Sequence, residues 1–296
     1  MAEEASKREA DVGPTLRENF HEWVGAFMAA HFDNPHSRRR YGYAWARVSD
    51  FLRREGIRHP AEVRYAHAAR YMAWRMSEGG LCNANTARLE LKLWSFVMAE
   101  AMRREFCPAN PLALAHVPRR PPKAKRELSA EDFAAARRAF AARKAAPWML
   151  TVFETCAHLG CRFAEADLGR EDVDFEAGLV WLTDAKRQDT DPRKRFAVPL
   201  PPALASILKA ALEARPRTSP RLTGEQNRQF NKTLKAACGA TSHSLRVSFI
   251  TRCHRAGLSE AYAMRLVNHS TRLVHALYTK LGAADVKGAS ARVPSP

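Results

Sequence analysis

The sequence predicts a mainly helical protein of two units joined by a basic linker, with one small antiparallel β hairpin or sheet in the second unit. Apolar residues recur at helical spacing from Thr15 to about Leu114, and no alternating run of any length interrupts them. Residues 119–126 then carry five positive charges and two prolines without an acidic residue, the composition of an extended, semi-rigid connection. Period-two alternation is confined to 178–183 and 195–200, which are separated by a charged loop. The expected division is a disordered polar tail at 1–14, a helical unit at 15–117, the linker at 118–126, and a mixed unit at 127–296 ending in a small polar tail. A chain of 296 residues with 46% hydrophobic content can bury a core in each unit.

In the first unit, Leu16, Phe20, Trp23, Val24 and Phe27 share one helix face. Tyr43, Val48, Phe51 and Leu52 mark a second helix, Ala69, Met72 and Ala73 a third, and Leu89, Leu93, Phe96 and Val97 a fourth. Asn34-Pro35, Gly56, His59-Pro60, Glu78 with Gly79 and Gly80, and Asn110-Pro111 supply the breaks. In the second unit, Ser129 caps a helix whose residues Arg137, Arg138, Arg143 and Lys144 form a positive face. The hairpin follows Asp172, with Lys186 in its loop. Helices are expected over 202–214, 224–238, 244–256, 259–267 and 271–280.

The formal net charge is +17, and it is unevenly spread. Residues 1–118 hold 17 Lys and Arg against 14 Asp and Glu, so most of the excess falls on residues 119–296, as expected of a surface that meets phosphates. The six cysteines, at 82, 107, 156, 161, 238 and 253, have no C-x-x-C pairing, and no signal peptide or long apolar run accompanies them, which predicts a reduced cytoplasmic protein. Cys156, His158 and Cys161 lack a partnering ligand pair and read as buried structural residues, so no metal and no cofactor is expected.

One set of residues in the second unit carries chemistry: Arg162, Lys186, the run His243-Ser244-Leu245-Arg246, His269 and Tyr278. Two guanidinium forks match the non-bridging oxygens of a phosphate, a tyrosine can attack phosphorus, and a lysine and two histidines can move protons and steady developing charge. Singly, each has an ordinary meaning, a surface arginine or an amphipathic-helix tyrosine. Arg162 with Arg246 is the natural clamp, and His243 precedes Arg246 by three residues, so both leave one helix turn. Tyr278, with a free pKa of about 10, needs proton removal or a positive field before it attacks at neutral pH.

In this order and context the chain resembles the tyrosine recombinase (phage-integrase-like) family from about Thr15 to about Leu281. The resemblance implies a four-helix, SAM-like core-binding domain followed by a tyrosine-recombinase catalytic domain. It implies Lys186 as general acid, with Lys194 as fallback on the same loop. His269 takes the position of a histidine or tryptophan that bonds a non-bridging oxygen, and Glu165 takes that of an acid that orients Arg162 across a helix turn. His158, His254, His275, Tyr262 and Trp148 match no family position and read as packing or surface residues. Three positions depart from the pattern: Asn268 stands where a glycine is usual, Cys161 precedes the first arginine, and Val247 follows the second. Asparagine tolerates left-handed backbone, so the turn before His269 can survive.

The implied activity is site-specific cleavage and rejoining of duplex DNA through a 3′-phosphotyrosyl intermediate without ATP or metal. The expected partners are double-stranded DNA and three further copies of the chain in a synaptic homotetramer, with no membrane. The expected location is cytoplasmic and nucleoid-associated. The linker residues Arg119, Arg120, Lys123, Lys125 and Arg126 are expected to run along phosphates. The length suits two domains without a further arm-binding domain, as in chromosome-dimer-resolving enzymes or compact mobile-element integrases. A type IB topoisomerase-like relaxing enzyme shares the chemistry but not the amino-terminal helical unit. A non-catalytic architectural protein or repressor would not need the intact set of six residues.

Overall fold

The computed structural model describes residues 20–77, 82–115, 125–184, 187, 191–192, 194–276 and 279. The chain divides into two compact units, Met1–Pro122 and Lys123–Pro296. Lys186, Tyr278, Arg119, Arg120, Lys123 and the tail at 1–14 lie outside the described residues.

In the first unit the helices are α1 (Phe20–His31), α2 (Pro35–Arg54), α3 (Ala66–Ser77) and α4 (Ala84–Arg103). The starts of α2 and α4 follow from short polar residues. The Asn34 side chain accepts bonds from the N–H groups of His36 and Ser37 while Pro35 fills the first turn, and the Asn83 side chain accepts from Thr86 N–H. Phe51, Tyr71 and Trp94 meet edge to face in a core built from α2, α3 and α4. Inside that core Arg75 grips Glu90 through two bonds of 2.9 and 3.1 Å, and the Tyr71 hydroxyl donates to the same carboxylate at 2.9 Å. With its charge matched and its lone pairs filled, the pair is tolerable away from water.

The second unit starts with α5 (Ala130–Ala141), capped by Ser129 in a reciprocal box with Asp132. Next come α6 (Trp148–Leu159), strands β1 (Val173–Asp174), β2 (Leu179–Thr183) and β3 (Arg195–Pro199), then α7 (Pro202–Ala214), α8 (Gly224–Cys238), α9 (Ser242–Arg255), α10 (Glu260–Leu266) and α11 (Arg272–Ala276). The strands form one antiparallel sheet in the order β1-β2-β3. Its register pairs Val180 with Val198 and Leu182 with Phe196, so one face enters the core while Trp181 remains on the other. Nearly every side chain of α6 is buried, which makes it the central helix against which α5, α7 and α9 pack.

Arg126, expected to run along phosphates, and Arg137, expected on a positive helix face, each have acidic partners. Arg126 makes a bidentate pair with Asp132 at 2.6 and 2.9 Å and also donates to the Cys238 carbonyl, and Arg137 pairs with Glu154 at 2.6 and 3.0 Å.

The apolar run around Cys156 reads as one helix reaching past Cys161, but α6 ends at Leu159. Gly160 adopts φ 61°, donates its N–H to the Cys156 carbonyl at 3.0 Å, and turns the chain out of the helix before Arg162. An alanine there would place its Cβ 2.2 Å from Phe249 Cδ1 as well as in left-handed backbone. Gly160→Ala is therefore expected to destabilise the second unit by roughly 2–4 kcal/mol from backbone strain and overpacking together. Denaturant unfolding checks this, and a loss below about 1 kcal/mol would mean that the turn relaxes freely.

Candidate active site

Released from α6 by Gly160, Arg162 starts a single 3-10 turn, Phe163–Ala166. Glu165 accepts from the Arg162 backbone N–H at 2.7 Å and from its Nη1 at 2.5 Å, so the expected ion pair exists but spans the cap of a 3-10 turn rather than a helix turn. Asp184, just past β2, accepts from the same Nη1 at 3.2 Å. Both carboxylates are buried, at 3% exposure each, and they hold the guanidinium in one orientation. The side-chain bonds of Arg162 among the described residues leave from Nη1, so Nε and Nη2 remain available to an incoming anion.

Asp184 also faces Arg187 at 3.4 Å, and Arg187 reaches Asp191 at 2.8 Å. An alternating chain of charges thus ties the start of the β2–β3 loop to Arg162. Lys194, at the far end of that loop, donates its ammonium to the Arg187 carbonyl at 2.8 Å.

Arg246 lies on α9, one turn after His243, and is only 1% exposed. Its Nη1 donates to the Gly160 carbonyl at 2.8 Å and its Nη2 to the Val267 carbonyl at 2.5 Å. Beyond Val267, Asn268 stands at φ 53°, the left-handed conformation expected of a residue in a glycine position. His269 follows, its N–H donating to the Met264 carbonyl at 2.9 Å. Burial first, then the positive fields of Arg246, His275, Arg162 and His243, push the His269 imidazole down to about 3. These residues, separated by up to 113 positions between Arg162 and His275, therefore share one electrostatic neighbourhood.

Two members of this neighbourhood were not legible as site residues. His275 on α11 brings Nδ1 to 3.0 Å from His269 Nδ1, and its Nε2 lies 2.9 Å from Nε2 of His254 on α9. Both had read as packing or surface residues. The available signal was that His254 follows Arg246 by eight residues, on the same helix face. Among the described residues, no group of three His, Cys, Asp or Glu side chains is placed to hold a metal ion.

The arrangement is a partly buried cationic cradle: two guanidinium groups fixed by carboxylates and carbonyls, with a neutral imidazole beside them. Such a cradle binds a tetrahedral oxyanion with little reorganisation.

No family profile matches the chain. Tyrosine recombinase XerA of Thermococcus kodakarensis is 30% identical over 137 residues, covering 41% of this chain and 47% of that protein, so the chain spans about half the length of the curated relative it matches. Lambda integrase superposes with a TM-score of 0.71 both as a dimer bound to a COC′ core site and as a tetramer bound to a Holliday junction. The dimer is 18% identical, covering 88% of this chain and 95% of that one; the tetramer is 16% identical, covering 90% and 80%. The Tn1549 transposon integrase in complex with circular intermediate DNA gives a TM-score of 0.65 at 16% identity, covering 92% and 98%. The mostly helical fold with its small antiparallel sheet is the fold of these integrases.

A depressed imidazole has a consequence for stability. Between about pH 3 and pH 6.5 the unfolded chain binds a proton that folded His269 refuses, so stability rises with pH in that window and is lost as pH falls through it. His275 and His158, also lowered chiefly by burial, act in the same direction. Acidification from pH 7 to pH 5 should destabilise the second unit, and His269→Asn should flatten part of that slope in urea unfolding series. An unchanged slope would mean that His269 is not the neutral group described.

Proposed function

We propose that this chain, a relative of the tyrosine recombinases in sequence and in fold, is a site-specific DNA recombinase that cleaves and rejoins duplex DNA through a 3′-phosphotyrosyl link to Tyr278. The observation that carries the reading is the convergence of Arg162, Arg246 and His269 in one partly buried positive cradle, in the sequence order that the family resemblance requires. Two guanidinium groups held in place beside an imidazole whose proton affinity burial lowers make a site whose positive charge favours an anionic ligand.

In this reading Arg162, through Nε and Nη2, and Arg246 take the two non-bridging oxygens, while His269 donates a hydrogen bond to one of them. Tyr278 Oη attacks phosphorus in line, the bond to the 5′ oxygen breaks, and the tyrosine proton passes to His243. Lys186 delivers a proton to the leaving 5′ oxygen, with Lys194 as the fallback donor. Because the phosphotyrosyl ester conserves the bond energy, a 5′-hydroxyl from another strand can attack it and reverse the sequence. Tyr278 follows His275 by three residues, and the His275 ring touches His269, which supports a tyrosine delivered to the cradle by the α11 segment.

The first unit serves as the core-binding domain. Arg39, Arg40, Tyr43 and Arg47 are exposed on α2 and, with Thr86 and Leu89 of α4, line an open groove of about 760 Å³. Cations interleaved with an aromatic ring suit a phosphate backbone. The linker charges Arg119, Arg120, Lys123, Lys125 and Arg126 extend the footprint, although the Asp132 pair holds Arg126 partly away from it. Recombination requires two cleaved duplexes in one complex, so the working assembly is a homotetramer of the kind lambda integrase forms on a Holliday junction. Among the described residues no helix is long and apolar enough to cross a membrane, and the proposed substrate is DNA in the cytoplasm, at the nucleoid.

The test starts with bound genomic fragments enriched from the source DNA, from which a nicked suicide substrate is built. Wild-type protein should form a covalent adduct on a denaturing gel. Lys186→Ala should lose about 10²–10⁴-fold in rate, the range of a general acid, and should recover on a substrate whose bridging 5′ oxygen is sulfur, because a thiolate leaves unprotonated. Rescue of Lys194→Ala alone would move the acid along the loop, and rescue of neither variant would defeat proton delivery from this hairpin.

A further inference from the structure

Three histidine rings run in file across the second unit: His254 near the end of α9, His275 on α11, and His269 beside Arg246. Adjacent rings stand nearly perpendicular, at 69° and 79°, with centroids 5.2 and 5.3 Å apart. The contacts are nitrogen to nitrogen, Nε2 of His254 to Nε2 of His275 at 2.9 Å and Nδ1 of His275 to Nδ1 of His269 at 3.0 Å. His275, at 1% exposure, spends both ring nitrogens inside the file.

A neutral imidazole owns a single N–H, so the middle ring can donate on one side only and must accept on the other. The file therefore has two self-consistent states. In one, His254 Nε2–H donates to His275 Nε2, His275 Nδ1–H donates to His269 Nδ1, and His269 carries its proton on Nε2. In the other, every bond is reversed and His269 Nε2 is a bare lone pair. Burial lowers the proton affinity of both His275 and His269, so a file locked in a cationic state is disfavoured. The nitrogens are bonded to one another rather than aimed at a common point, which separates the file from a metal site.

We propose that His275 and His254 are positioning residues that fix His269 as its Nε2–H tautomer, so that it presents a hydrogen-bond donor to the scissile phosphate. The inference rests on the recombinase reading for the choice between the two states, but the tautomer can be measured without DNA. Only the first state puts a donor rather than a lone pair in front of an anionic oxygen. A donor set before substrate arrives costs no reorganisation during the reaction. His254, half-buried at the outer end, leaves its Nδ1 as an acceptor in this state.

The test reads the tautomer directly. Long-range ¹H–¹⁵N spectra of the full chain labelled at histidine nitrogens should show His269 protonated on Nε2 and bare on Nδ1. His275→Asn keeps a donor where Nδ1 stood and should preserve that pattern, whereas His275→Phe should give a mixture of tautomers. His254→Leu, a change at the less buried end, should also give a mixture, and it provides the answer if the Phe variant fails to melt cooperatively. On the nicked substrate, His275→Phe should slow adduct formation roughly 10–100-fold, the cost typical of losing an orienting partner, with most of the rate restored in His275→Asn. A His269 proton on Nδ1 in the wild-type chain, or identical His269 spectra in wild type, His275→Phe and His254→Leu, overturns the proposal. Equal rate losses for Asn and Phe overturn it too. If wild-type protein forms no adduct, the recombinase reading fails while the spectra still judge the tautomer.

Discussion

The second unit is organised around one buried charge. Arg246 brings a guanidinium into the core and bonds two main-chain carbonyls, Gly160 at the end of α6 and Val267 at the end of α10. Withdrawing such a group from water costs several kcal/mol unless its N–H groups are satisfied, so both helix ends must stop where their carbonyls can turn towards it. Both stops use left-handed backbone, at Gly160 itself and at Asn268 immediately after Val267. Two residues beyond each carbonyl comes a further member of the cradle, Arg162 on one side and His269 on the other. The contacts that satisfy Arg246 thereby set the positions of its neighbours.

Charge balance around the cradle follows a gradient. Arg162 is countered by Glu165 and Asp184, with Arg187 and Asp191 extending the alternation into the hairpin loop. On the other side His269, His275 and His254 are linked ring to ring. Carboxylate partners at Nη1 keep Arg162 oriented, and the histidine file avoids adding a third cation to a site that already holds two. In the proposed reaction an oxyanion entering from solvent meets preset donors at little electrostatic reorganisation.

Much of this was legible in the sequence, and the rest was hidden for identifiable reasons. Helices with a clear apolar stripe and a polar cap, α2, α4 and α8, follow the periodicity closely, and the period-two runs around Val180 and Val198 pair as strands. Arg162, Arg246 and His269 stood out because their order carried a resemblance. That α6 stops before Arg162 was not legible, since Gly160 lies in an apolar run that reads equally well as helix. Asp184, Arg187, His254 and His275 were passed over because each acquires meaning only from a partner remote in sequence or across a loop: His275 from a residue 21 positions earlier, and Asp184 from one 22 positions earlier. The linker had read as a row of cations laid along phosphates, a reading that local composition favours and that the Arg126–Asp132 pair modifies.

In the proposed reaction the cradle serves a tyrosine that becomes covalently attached to DNA. The most direct measurement is to trap the adduct on nicked site DNA, digest protein and nucleic acid, and locate the nucleotide-bearing peptide by mass spectrometry. The account predicts a phosphotyrosyl ester on Tyr278 joined to the 3′ end of the cleaved strand; a nucleotide on Tyr262 or any other side chain, or linkage to a 5′ end, would contradict it.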